Sequence, residues 1–190
     1  EEDLVKMASK LDLEFSAGKR WNYSNTGYVL LGVIMSRVAK KPYWEYLDEH
    51  IFTPAGMHLI RINTEKDIVP NKAKGYIPSK EGYQHASYVA PITNTTADGS
   101  MLLSLEDLLA WNSTVKNKMI LKRKSWNLIL SPMKLNSGNN YPYGFGWFIE
   151  KTNEKTVHQH GGTCQGFTAQ IFRFIEDELE VLLLTNARSI

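Results

Sequence analysis

Apolar residues recur at helical spacing in the early part of the chain and alternate with polar ones after Tyr141, so helices come first and strands last. From Glu2 to Lys10, Leu4, Val5 and Ala8, with Leu11 just beyond, line one side of a short helix that Ser16-Ala17-Gly18 breaks. The strongest periodicity runs from Thr26 to Lys40. There Tyr28, Leu31, Met35 and Val38 keep helical spacing, and Leu30 and Ile34 widen the stripe. A helix apolar nearly all round belongs inside a fold, and this one is expected to be buried. Pro42 suits the first turn of a further helix carrying Trp44, Leu47 and Ile51, with Pro54 as its stop. Residues from about Thr53 to Gly99 hold Pro54, Pro70, Pro78, Pro91 and several glycines, which predicts long loops. Ser104, with Asp107 three residues on, resembles a capping box opening a helix through Trp111. Another helix is predicted from Lys122 to Leu130, ending before Pro132.

Four strands are predicted at Phe145 to Ile149, Thr156 to His160, Phe167 to Phe174 and Leu179 to Thr185. The polar turn Ile175-Glu176-Asp177-Glu178 joins the last two. Helices followed by consecutive strands argue for an α+β fold with an antiparallel sheet. Residues 1 to about 135 form the mostly helical and loop part, and about 141 to 190 the strands, within a single domain.

Composition changes this picture little. At 190 residues and 43% hydrophobic, the chain can bury one respectable core. A net charge of +2 from 22 basic and 20 acidic residues is no polyanion-binding signature, and the Lys-rich stretch Lys116 to Lys124 reads as a solvated helix end, so no nucleic-acid partner is expected. The single cysteine, Cys164, permits no internal disulfide and leaves the redox compartment open. The longest apolar run, Tyr28 to Met35, falls short of the roughly 18 residues of a membrane span.

Two stretches carry chemistry. Tyr23-Ser24-Asn25 stands at the entry of the strongest helix, where a Tyr and an Asn two apart can face one cleft. Tyrosine serves as a general base only where positive charge pulls its pKa down from ~10, and asparagine offers a donor and an acceptor to an amide or ester. The plain alternative is that Ser24 or Asn25 is a helix cap and Tyr23 a partly buried anchor. The second stretch is His158-Gln159-His160-Gly161-Gly162-Thr163-Cys164, between two strands. Its paired glycines let a ligand lie against the backbone, and exposed N–H groups there suit a developing oxyanion. His158 and His160 share a strand face as a zinc pair would, but no Asp, Glu or Cys completes a zinc spacing, so no metal is expected. Cys164 has no evident base and reads as a small packing residue rather than a nucleophile.

Together and in this order, the two stretches resemble the class C β-lactamase and DD-peptidase family of serine hydrolases, whose wider membership includes esterases and D-amino-acid peptidases. The family pattern is Ser-x-x-Lys, then Tyr-x-Asn, then Lys-Thr-Gly or His-x-Gly. Tyr23-Ser24-Asn25 matches the second motif and His160-Gly161-Gly162 the third. The resemblance extends to Phe15 through Gly32, Ile51 to Met57, Asp98 to Ser104, Tyr143-Gly144-Phe145-Gly146-Trp147 and Thr185-Asn186-Ala187, five segments in the right order. It implies a β-lactamase/transpeptidase-like fold, an antiparallel sheet with helices plus a mostly helical subdomain, here a partial domain lacking terminal elements.

The resemblance also implies an acyl-enzyme mechanism on β-lactam, D-amino peptide or ester substrates. In it Tyr23 shares proton transfer, Asn25 holds the substrate amide or ester, and His160 orients the substrate or the Tyr23 hydroxyl. Ser24, Gly161, Gly162 and Thr163 line the substrate and oxyanion side, the Thr163 N–H forming half the oxyanion hole. His160 stands where many members have Lys, which points to esterase or peptidase activity. No cofactor is implied, and members are commonly exported to the bacterial envelope.

Only 22 residues precede Tyr23, too few for the helix that carries Ser-x-x-Lys in the family. Three such matches occur elsewhere. Ser16 to Lys19 holds a helix-breaking Gly18, Ser113 to Lys116 follows the Tyr motif, and Ser131 to Lys134 is interrupted by Pro132. The chain is therefore expected to be truncated and to lack the nucleophile. It reads as a fragment of a hydrolase, as a non-catalytic module binding peptidoglycan-like or acyl ligands, or as a proteolytic or cloning product. A sheet face left without terminal helices predicts self-association.

Overall fold

Helix entries are set by side chains the sequence supplies at the right offsets. The computed structural model describes residues 2–64, 66–86, 95–99 and 101–188; Pro91, Ser100 and Ile190, which figure in the sequence reading, lie outside the described residues. Helix α1 (Glu2–Ala8) leads by a turn-rich segment to α2 (Asn25–Ala39). Ser24 caps α2, its Oγ accepting the Gly27 N–H at 3.0 Å. Helix α5 (Leu105–Lys116) starts on a reciprocal capping box. Ser104 Oγ accepts the Asp107 N–H at 3.1 Å, and the Asp107 carboxylate accepts the Ser104 N–H at 3.1 Å. The other oxygen of buried Asp107 accepts the Leu59 N–H at 3.0 Å, pinning the preceding loop to the same cap.

Two helix expectations are corrected. Helix α2 buries only Val29, Gly32 and Val33, whereas Leu31, Ile34 and Val38 are 54%, 56% and 80% exposed. Its apolar circumference meets packing on one side alone among the described residues. Pro54 does not end its helix either. Helix α3 (Tyr43–Leu47) passes through a π-helical turn (Asp48–Phe52) into α4 (Thr53–Ala55), and the stop is Gly56 in the left-handed region at φ 76°. The wider turn accommodates a proline that has no N–H to give.

The loop region contains short pairings that its turn residues concealed. Strand β1 (Arg61–Ile62) pairs with β4 (Met101–Leu102), and β2 (Tyr76–Ser79) forms a hairpin with β3 (Gly82–His85). After α6 (Arg123–Ile129), β5 (Met133–Lys134) and β6 (Asn140–Tyr141) make a further small hairpin. The main sheet comprises β7 (Phe148–Thr152), β8 (Lys155–Cys164), β9 (Phe167–Phe174) and β10 (Leu179–Thr185), in order β10-β9-β8-β7 and antiparallel throughout. The α+β class with an antiparallel sheet is as the sequence pattern implies.

Opposed residues in antiparallel strands share a face, so the register sorts the side chains. Ile149, His158 and Arg173 form one cross-strand row, and His160, Ile171 and Leu182 the next. On that face Ile171, Ile149 and Leu182 pack against Val115, Trp111, Trp126 and Trp147, the core between the sheet and helices α5 and α6. The opposite face carries Phe172 and Phe174, stacked at 6.4 Å, with exposed Leu179, Val181 and Leu183 across from Phe174, Phe172 and Gln170.

Candidate active site

The site forms where the entry of α2 meets the middle of β8. The Ser24 cap turns the chain immediately after Tyr23, leaving Tyr23 exposed and its ring centroid 6.0 Å from that of His160. Asn25, the first residue of α2, is exposed beside it. The expectation that Ser24 caps the helix holds, and that hydrogen bond occupies its hydroxyl oxygen.

Strand β8 brings the third motif to the same place. Pairing with β7 ends at Phe148 opposite Gln159, while pairing with β9 continues to Cys164 opposite Phe167. From His160 to Cys164 the β7 side of β8 is therefore an edge without a strand partner among the described residues. The two glycines play different parts. A Cβ on Gly161 would collide with the Gln170 side chain across the strand, whereas one on Gly162 would meet nothing within 4 Å. Gly161 packs closely on the Gln170 amide, and Gly162 faces the open space a ligand can use. Thr163 is exposed next to it.

Around these residues stands an aromatic wall that the sequence reading left out of the site. Buried Tyr143 places its hydroxyl 3.2 Å from His160 Nε2 and its ring edge-on to Tyr23, with centroids 6.3 Å apart. Phe148 lies 5.7 Å from the His160 ring and 4.7 Å from Tyr143. Trp21 stacks on Tyr141 at 4.3 Å and leans on Tyr143 at 5.1 Å. The available signal was the Tyr143-Gly144-Phe145-Gly146-Trp147 segment. Gly144 must be glycine because its Cβ would strike the Ile129 carbonyl, and Gly146 turns at φ 78°, which swings Trp147 into the core.

Burial sets the electrostatics. It holds His160 below the ordinary imidazole value, partly offset by the neighbouring Gly161 backbone. Burial also raises the Tyr28 and Tyr143 phenols; Tyr143 is pushed up further by the neighbouring Tyr28 and Tyr23, whereas at Tyr28 the proximity of Tyr143 partly offsets the rise. Cys164 is exposed rather than packed. Its thiol is pushed up by partial desolvation and by the Asp98 carboxylate, the reverse of what a thiolate nucleophile requires.

His158 shares a strand with His160 but not its surroundings. It is buried opposite Arg173, and His158 Nδ1 and Arg173 Nε are both buried without a hydrogen-bond partner. Burial first, then the Arg173 guanidinium, pushes His158 down to about 4, with Lys118 acting the same way and Glu176 opposing. The Arg173 guanidinium on the paired strand also disfavours a bound cation. The pH dependence follows directly. Between the unperturbed value of 6.5 and about 4 the unfolded chain binds a proton at this residue that the folded chain refuses. The contribution of His158 is thus complete above pH 6.5 and is lost as pH falls towards 4, at most about 3 kcal/mol. Urea midpoints measured from pH 7 to pH 4 are expected to fall more steeply for the wild type than for His158→Gln. Parallel profiles would show that His158 is not the group responsible.

A beta-lactamase family model matches residues 1–189. The chain is 28% identical to penicillin-binding protein 4* of Bacillus subtilis, over 97% of this chain and 44% of that protein. It is 26% identical to a D-aminopeptidase of Gluconobacter oxydans, over 93% of this chain and 33% of that one. Among solved structures, a penicillin-binding protein from Bacillus halodurans superimposes with a TM-score of 0.85 at 22% identity, covering 99% of this chain and 58% of the other. The D-amino acid amidase of Ochrobactrum anthropi complexed with L-phenylalanine amide gives 0.80 at 24% identity, covering 98% and 55%. The fold is thus that of β-lactamases and transpeptidases, and the chain spans about a third to three fifths of the length of these relatives. On a match that runs nearly end to end, the chain belongs to the beta-lactamase family.

Proposed function

We propose that these residues supply the second and third motifs of an acyl-transferring serine hydrolase, in a single partial domain acting on D-amino peptides, amides or esters. The observation that carries this reading is the convergence of Tyr23 and His160, from a helix entry and a strand, beside the edge of β8 that no strand among the described residues covers. The D-amino substrate class is drawn from the D-aminopeptidase relative.

In this reading a serine hydroxyl attacks the substrate carbonyl carbon and gives up its proton, and a tetrahedral oxyanion forms. The leaving amine or alcohol departs with a proton, and water then hydrolyses the acyl ester. Tyr23 is the hydroxyl that moves protons at this centre, and Asn25 holds the substrate amide or ester. The Thr163 N–H supports the oxyanion, while Gly162 leaves room for the substrate backbone to join β8 as an added strand. This chemistry calls for no metal or organic cofactor.

The nucleophile is assigned outside these 190 residues because the internal Ser-x-x-Lys matches are engaged elsewhere. Ser16 and Lys19 close a turn whose Ala17 and Gly18 carbonyls are bonded by Asn136. Ser113 accepts from Asn117 on α5, and Lys116 pairs with Glu180 at 3.5 Å. Ser131 donates to the Asn127 carbonyl.

The test exposes both the 190-residue chain and the whole gene product to a fluorescent penicillin and a fluorophosphonate probe. Labelling of the gene product at a serine outside these residues, with none on the chain alone, is the expected result. Label on Ser16, Ser113 or Ser131 would overturn the assignment of the nucleophile. A gene product that takes neither probe would overturn the hydrolase reading in favour of a binding module.

A further inference from the structure

We propose that Gly75 and Asn63 are positioning residues that clamp the β8–β9 turn and so hold the Thr163 N–H at the open edge of β8. The proposal rests on the hydrolase reading for the use made of that N–H, and on the packing of the turn for the rest.

The direction of the Thr163 amide follows from the two turns that bound β8. Thr152 pairs with Lys155 across Asn153 and Glu154, at φ 49° and 65°. Cys164 pairs with Phe167 across Gln165 and Gly166, at φ 48° and 80°. Positive φ at both central residues is the type I′ geometry, and the residues that close such a turn bond to each other. Lys155 therefore directs its backbone groups to β7, and Cys164 directs its own to β9. Direction alternates along an antiparallel strand, so odd-numbered residues of β8 face the β7 side, and the two turns give the same assignment. Thr163 points its N–H to that side, where pairing with β7 has stopped at Gln159.

The hairpin tip therefore projects past β7, and the stretch leading into β2 is what meets it. A Cβ on Gly75 would collide with the Gln165 carbonyl oxygen and press on the Phe167 ring, and one on Gly166 would press on the Tyr76 backbone. Backbone lies on backbone here. Gly75 is outside the left-handed region, so space alone requires glycine. The stretch is itself fastened to the chain that follows β10. The Tyr76 N–H donates to the Asn186 carbonyl at 2.8 Å, the Arg188 N–H to the Tyr76 carbonyl at 2.9 Å, and the Asn186 amide to the Lys74 carbonyl at 3.1 Å. A side-chain relay closes the clamp. Lys72 Nζ donates to Asn63 Oδ1 at 2.7 Å, and an ammonium only donates, so the Asn63 amide nitrogen is left to donate to Gln165 Oε1 at 3.3 Å. Catalytic donors must be held within about 0.5 Å of their working position, and Thr163 stands two residues from the clamped turn.

The experiment reads the amide spectrum of the chain labelled with ¹⁵N-threonine, with Thr163 assigned by its absence in Thr163→Ser, and acylation of the whole gene product by a chromogenic D-amino ester. In Gly75→Ala the Thr163 resonance is expected to move, while those of Thr156, near the far end of β8, and buried Thr114 stay in place. Acylation should slow by up to about 10²-fold with KM little changed, the cost of a displacement of about 1 Å. Asn63→Ala should move the same resonance with a smaller loss of rate. An unmoved Thr163 resonance in either variant would overturn the proposal. So would a moved resonance with acylation at the wild-type rate, or a loss confined to KM, because a merely structural role lowers the urea midpoint without touching kcat. Asn63→Ala decides the matter if Gly75→Ala fails to fold. The spectrum is read on the chain itself, so a gene product that takes neither serine probe would overturn the hydrolase reading and leave the clamp to be judged by Thr163 alone.

Discussion

Replacing Trp126 with alanine is expected to lower the unfolding free energy by about 3–5 kcal/mol. Trp126 is 1% exposed and packs with Val115, Trp147 and Ile171 where α5 and α6 meet the sheet. Its Nε1–H donates to the Met119 carbonyl at 2.7 Å, so the indole also holds the turn after α5. Truncation removes that bond and leaves a cavity that rigid helices and a four-stranded sheet can only partly close. Domains of this size have about 5–15 kcal/mol of net stability, so much of it is at stake. Urea unfolding followed by circular dichroism reads the loss directly. Trp126→Phe keeps most of the apolar volume and should lose distinctly less. Equal losses would place the role of Trp126 in its N–H rather than in its bulk.

Replacing Tyr23 with phenylalanine in the whole gene product is expected to slow acylation by about 10²- to 10⁴-fold, the usual worth of a positioned proton-transfer group. The substitution keeps the ring, and with it the contacts at 6.0 Å to His160 and 6.3 Å to Tyr143, while removing only the hydroxyl. Substrate binding should therefore change little, and the loss should fall on kcat rather than KM. Stopped-flow acylation with a chromogenic D-amino ester separates the two. An unchanged acylation rate would remove Tyr23 from the proton path.

The strands were legible where the alternation of side chains was backed by a buried face. Phe167–Phe174 and Leu179–Thr185 match the sequence pattern end to end. The strand expected over Phe145 to Ile149 instead begins at Phe148, because Gly144 and Gly146 serve a turn that the apolar pattern could not distinguish from a strand. Helix α2 was correctly placed but wrongly buried, since periodicity reports which residues could be covered and not what covers them. Motif order also brought Tyr23 and His160 together on paper, and the fold sets their rings 6.0 Å apart. Tyr143 was not legible, because its contribution is a hydroxyl contact to the His160 ring inside an aromatic cluster, and a triplet pattern does not encode that.

The two halves of the site differ in mechanical support. His160 lies on a strand paired with β9, with the core beneath the neighbouring Ile171, whereas Tyr23 sits on an exposed segment held by side-chain bonds at Asn22 and Ser24 and by ring contacts. Local opening draws on the least protected backbone, so amide exchange at Tyr23 will outpace that at His160. Opening of the cleft is then expected from one side, with the tyrosine moving against a fixed histidine and the start of α2, rather than the sheet, as the yielding part.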